Sequence, residues 1–135
     1  MEERDWASLE RFSFGDNPEL AEELSRLVLA GIKTATCWPV SEGQPTHVGK
    51  RMVMLDGAGR AAAVVETVEL GRCRFDAVDA AFAYDEGEGD RSLAYWRAAH
   101  RRYFTRRGIF APDMELWCER FRVVARLAAA PAKVG

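Results

Sequence analysis

No apolar stretch of the chain approaches the roughly 20 residues that a bilayer-spanning helix needs. Its opening, MEERDW, has neither the basic nor the apolar region of a secretory signal. A cytoplasmic protein with no membrane partner is the expectation. Cysteine is scarce and odd in number: Cys37, Cys73 and Cys118 stand far apart with no CxxC pair, which points to free, mostly buried thiols rather than zinc or dithiol chemistry. Only two histidines occur, His47 and His100, and neither has the partner spacing of a metal site. No metal and no cofactor are expected. Internal repeats and linkers are missing too, so 135 residues make one domain, long enough to bury its own core. That core spans about residues 10–126, with a frayed tail over 127–135.

Excess charge of one sign is also absent. The net charge of −2 argues against a surface coated for duplex DNA, yet the charges are segregated. Six acids and no base lie between Asp76 and Asp90, and six arginines and no acid between Arg91 and Arg107. An acidic lip therefore adjoins a basic helix. Its arginines, among them Arg97, Arg101 and Arg102, are either a solvated helix face or a salt-sensitive attraction for RNA.

What is present reads as α+β. Asn17 and Pro18 open a helix to Ala30, with Leu20, Leu24, Leu27 and Val28 on one face and Gly31 beyond its end. Thr34–Val40, Arg51–Leu55 and Ala61–Glu69 favour strands, and Asp56-Gly57-Ala58-Gly59 turns between the last two. A short strand at Arg72–Phe75 and a brief helix at Asp76–Tyr84 lead to DEGEGD. A second long helix then begins, capped by Asp90, with Leu93, Trp96, Ala99 or His100, Tyr103 and Phe104 along its buried stripe and Gly108 at its end. Glu115–Arg126 alternates as a closing strand. This order of elements suggests antiparallel strands curled into a small barrel flanked by helices.

Lys33 stands where the first helix gives way to a strand. A lysine there can lay its stem over apolar surface and meet the last helical carbonyls. Alternatively, since Thr34, Thr36 and Trp38 share one face of an extended segment, Lys33 and the Thr36 hydroxyl can converge on a ligand. Glu66, on a central strand, faces either solvent or Lys33 and is a second candidate carboxylate.

Gly31-Ile32-Lys33-Thr34-Ala35-Thr36 resembles the G-x-K-x-x-T signature of the ASCH domain, a PUA-like β-barrel family associated with RNA. The likeness extends through FSFGDNPELAEEL, EGEGDRSLAYWRAAHRRYF and MELWCERFRVV, in that order. It implies a pocket at the barrel mouth. Some members are described as hydrolysing the amide of an N-acylated cytidine, others as cleaving RNA. Carried over by position, the catalytic set falls on Lys33, Thr36 and Glu88, with Glu86 the other acid of that loop. Many members carry an arginine where this chain has Trp38, a change from phosphate clamping toward base stacking. The resemblance thus implies either a hydrolase acting on RNA or a modified nucleoside, or a module that binds one without altering it; oligomeric state stays open.

The two chemistries ask different things of Lys33. Amide hydrolysis through a threonine nucleophile needs a neighbour to accept the hydroxyl proton, which a lysine can do if its pKa is lowered, with a carboxylate shuttling the proton to the leaving amine. Phosphodiester cleavage needs it charged. On either reading, Lys33→Ala abolishes turnover and leaves the fold intact.

Overall fold

A computed structural model describes residues 6–127, so residues 128–135 of the expected tail lie outside the described part. The described elements are β1 (Arg11–Phe12), α1 (Pro18–Leu29), β2 (Ala35–Pro39), β3 (Arg51–Leu55), β4 (Ala61–Arg74), α2 (Ala80–Glu86), α3 (Leu93–Arg106) and β5 (Glu115–Arg126). No helix among them is long and apolar enough to cross a membrane.

Local chemistry explains most boundaries. The Asn17 side chain accepts the Leu20 N–H at 2.8 Å, and Pro18 occupies the first turn of α1, where its missing N–H costs nothing. Gly31, at φ +77°, supplies the left-handed residue that ends the helix. Asp56 closes the β3–β4 turn by accepting the N–H groups of Ala58 and Arg60, both at 2.9 Å.

Three expectations about element boundaries needed correction. The separate strands at 61–69 and 72–75 are one strand, β4, because Gly71 pairs with Cys118 of β5 and the ladder absorbs irregularities at Val64/Val65 and Thr67/Glu69. The brief helix starts at Ala80, where Asp79 caps it through the Phe82 N–H at 2.9 Å. Ser92, not Asp90, caps α3, while Asp90 accepts the Ser92 N–H.

The five strands order β1-β3-β4-β5-β2, with β1 parallel to β3 and the other neighbours antiparallel. The fold is α+β, but among the described residues no ladder joins β1 to β2, so the sheet is open where a closed barrel was expected. It curls far enough that rings from its two edge strands touch: Phe12 and Trp38 lie 6.1 Å apart. Two hydrophobic clusters use the sheet. In one, Leu24 and Val28 of α1 pack with Phe14, Met54, Val65 and Phe121. In the other, Phe82, Trp96 and Phe104 from α2 and α3 pack on Ala35 and Leu116. Each such large side chain contributes about 1.5–3 kcal/mol by leaving water. Strand β5 serves both, since Leu116 and Phe121 project from opposite faces.

Candidate functional site

A cavity of about 310 Å³ lies against β2, the α2–α3 junction and one side of α3. Because β2 is an edge strand, Thr36 and Trp38 from one face and Cys37 from the other all reach it.

Past α1 the chain folds back on the helix end, the Ile32 and Lys33 N–H groups both donating to Leu27 O at 2.9 and 3.1 Å. This turns the lysine inward, leaving it 1% exposed. The Lys33 ammonium donates to Glu86 Oε1 at 2.8 Å, Ala35 O at 2.9 Å and Glu88 Oε2 at 3.0 Å. With Glu86 O at 3.4 Å as well, four acceptors surround three protons, so its donor capacity is filled. The Phe14 ring lies 5.2 Å from the same nitrogen, a cation–π contact.

Gly87 makes this convergence possible. It ends α2 at φ +77°, and a Cβ there would lie 2.6 Å from Ile32 O. Only glycine allows the α2 end to sit so close to the segment that carries Lys33. Glu86 is buried, and its second oxygen accepts the Trp96 indole N–H at 2.9 Å, with His100 Nε2 at 3.6 Å. His100 stacks on Trp96 at 4.3 Å. The Glu88 side chain, by contrast, is 15% exposed and lines the cavity, with its Oε1 unpartnered among the described residues.

Burial pulls the Lys33 pKa down, but Glu86 and Glu88 outweigh it and hold the pKa above its ordinary value. Burial likewise lifts Glu86, and the charge of Lys33, with the hydrogen bonds from Lys33 and Trp96, brings it below the usual carboxylate range. Lys33 and Glu86 therefore form an ion pair, with the Glu88 carboxyl on the other side of the ammonium, and Lys33 is no proton acceptor. Cys37, Glu86 and His100 offer ligand-type atoms within 4.8 Å of one another. Burial pushes the Cys37 thiol well above its normal pKa, and Glu86 is already bonded to Lys33 and Trp96. These donors fit a hydrogen-bonded cluster better than an open metal centre.

Of the residues singled out in the sequence, Lys33, Thr36, Trp38, Glu86, Glu88 and Arg102 line the cavity. Others do not. Thr34 is exposed and directs both its N–H and its hydroxyl to Asp85 O, at 2.8 and 3.4 Å, because β2 begins one residue later. Glu66 pairs with Arg51 at 3.0 Å and Arg122 at 3.3 Å, on cross-strand neighbours away from Lys33. Arg97 is exposed, and Arg101 lies over the Phe110 ring at 5.1 Å. Sequence reasoning missed Phe14, Cys37, His100, Tyr103, Arg106 and Arg107 as cavity residues. One signal was available for α3: Tyr95, Ala99, Arg102 and Arg106 recur at helical spacing and form its cavity-facing side.

A family model described as ASCH domain matches residues 10–125. Two solved structures resemble the chain. An ASCH domain from Lactobacillus crispatus JV V101 is 33% identical, with a TM-score of 0.81 over 91% of this chain and 84% of its own. A protein from Enterococcus faecalis V583 is 32% identical, with a TM-score of 0.78 over 87% of this chain and 77% of its own. No curated protein matches.

Proposed function

The chain belongs to the ASCH domain family, generally associated with RNA, and from that premise we propose that it is a metal-independent hydrolase directed at RNA or a modified nucleoside. The observation that carries this reading is the Lys33–Glu86–Glu88 cluster at the inner end of a cavity walled by Trp38 and Tyr103. An ammonium already occupies the place that a metal ion bridging two carboxylates would take.

Charge selects among the family's chemistries. Glu86 and Glu88 flank Lys33 at the inner end of the cavity, which disfavours a phosphodiester at that point, while Arg102, Arg106 and Arg107 line the same cavity; the favoured substrate is the amide of an N-acylated cytidine. A cavity of about 310 Å³ also stands at the small end of ligand pockets, roughly 300–1,000 Å³, which suits one nucleoside. Since Lys33 remains charged, the accessible Glu88 carboxylate takes the base role. It accepts the Thr36 hydroxyl proton as Oγ attacks the acyl carbon, then passes that proton to the departing exocyclic nitrogen. Water, deprotonated by Glu88, next cleaves the threonine ester, and the proton returns to Thr36 Oγ. The acid and cytidine are released. Lys33 holds the Glu88 carboxylate in place throughout.

The test is release of cytidine from N4-acetylcytidine, followed by chromatography, alongside cleavage of an RNA oligonucleotide. Glu88→Gln should slow release by about 10²–10⁴-fold, the usual worth of a positioned base. If the unaltered protein yields neither cytidine nor RNA fragments, the hydrolase reading fails. A second reading, a receptor that binds without turnover, is favoured by one observation: all three Lys33 protons are taken by the protein itself. It requires saturable, salt-sensitive binding with no product.

A further inference from the structure

Glu119 is a buried carboxyl whose hydrogen-bonding partners are all neutral. It is 2% exposed. Its Oε1 accepts the Trp38 indole N–H at 2.8 Å, and its Oε2 accepts the Thr67 hydroxyl at 2.6 Å. Thr67 in turn shares a 2.7 Å hydrogen bond with the hydroxyl of Thr46, and both threonines are buried. Burial pushes the Glu119 pKa above the usual glutamate range, even against these hydrogen bonds and the nearby charge of Lys33. An apolar residue of similar size would avoid that desolvation cost. A position that is costly for stability calls for another account.

Its neighbours supply one. Glu119 stands opposite Thr36 in the β2–β5 register, and Trp117 opposite Trp38. The carboxyl thus lies behind the two residues that this face of β2 turns toward the cavity. The Trp38 ring is held at one side by Phe12, 6.1 Å away. A contact between rings limits where an indole lies but leaves it free to slide. A hydrogen bond from the indole nitrogen to a fixed acceptor removes that freedom.

We propose that Glu119 is a positioning residue for ligand recognition: by accepting the Trp38 indole N–H it fixes the ring as a stacking wall for a nucleobase, while Thr67 and Thr46 hold the carboxyl in turn. The inference rests on the nucleoside-directed reading above. A ring ordered in advance spares the ligand the loss of side-chain freedom, a cost equivalent to roughly 3- to 10-fold in affinity.

The experiment is titration of the full chain with cytidine and N4-acetylcytidine, read by tryptophan fluorescence and calorimetry, in a double-mutant cycle. Glu119→Leu should weaken binding about 3- to 10-fold and, where turnover is seen, raise KM with kcat unchanged. Glu119→Gln should bind like the unaltered protein, because its amide oxygen still accepts the indole N–H. In a Trp38→Phe background, Glu119→Leu should have no further effect, since no N–H remains to be held. Should Glu119→Leu not fold, Thr67→Val takes its place. It removes the donor to Oε2 at nearly constant shape, and should weaken binding only where Trp38 is present. Unchanged affinity in Glu119→Leu, or an equal loss in both backgrounds, overturns the proposal while the nucleoside reading stands. Failure of the unaltered protein to bind either probe overturns both.

Discussion

Replacing Lys33 with methionine isolates the charge at the centre of the site, because methionine keeps most of the lysine stem. Lys33 and Glu86 are each 1% exposed. Removing one member of such a pair costs about 3–5 kcal/mol, since the other charge stays buried without compensation. That is a large share of a total stability of about 5–15 kcal/mol. With a urea m-value of about 2 kcal/mol/M, the midpoint falls by roughly 2 M. The pH dependence reverses as well. In the unaltered protein the Glu86 pKa is depressed, so its contribution is present above the unfolded pKa and is lost as pH falls through the folded one. The Lys33 pKa is raised, so its contribution is complete below the unfolded pKa and is lost only as pH rises through the folded one. Without the ammonium, burial dominates Glu86 and lifts its pKa. The variant therefore gains stability on acidification. Urea denaturation followed by circular dichroism should find Lys33→Met more stable at pH 5 than at pH 8, and Lys33→Met/Glu86→Gln close to the unaltered protein at both. A single variant within 1 kcal/mol of the unaltered protein at pH 8 would refute the reasoning, as would a double variant no better than the single one. The expectation that Lys33 can be removed with the fold intact gives way to this one.

Two further outcomes follow from the same cluster. Trp96→Phe deletes the indole N–H that Glu86 accepts at 2.9 Å, and should lower stability by about 1–3 kcal/mol in a denaturant titration. Gly87→Ala places a methyl 2.6 Å from Ile32 O at φ +77°. It should cost about 1–3 kcal/mol from the backbone alone, seen as a lower melting temperature, and abolish any turnover by displacing Glu86 and Glu88 from Lys33.

Elements with local signals were legible in the sequence. Asn17-Pro18 and Gly31 bracket α1, while β3 and β5 occupy the expected residues because alternation and flanking turns agree. Gly71 looks like a break until β5 supplies its hydrogen bonds. Asp90 and Ser92 are both good caps two residues apart, and only the chain's direction into α3 decides between them. Closure of the sheet depends on where its two edges finish, a global property with no local mark. In the site, the GxKxxT and EGEGD segments do bring Lys33, Thr36, Glu86 and Glu88 to one cavity. Glu66 stays open between solvent and Lys33 because strand periodicity separates two faces without saying which is inner. Glu119 was invisible for a related reason: it lies in an alternating strand like any surface acid, and its burial follows from Trp38 and Thr67, far off in the chain.

Strand β5 sends Leu116 into one packed interior and Phe121 into the other, like a party wall between two houses. Neither side can be vacated while its neighbour stands intact, since both lean on the same backbone ladder. Melting should therefore be a single cooperative transition, with the Lys33 ammonium gaining its full hydration in that same step.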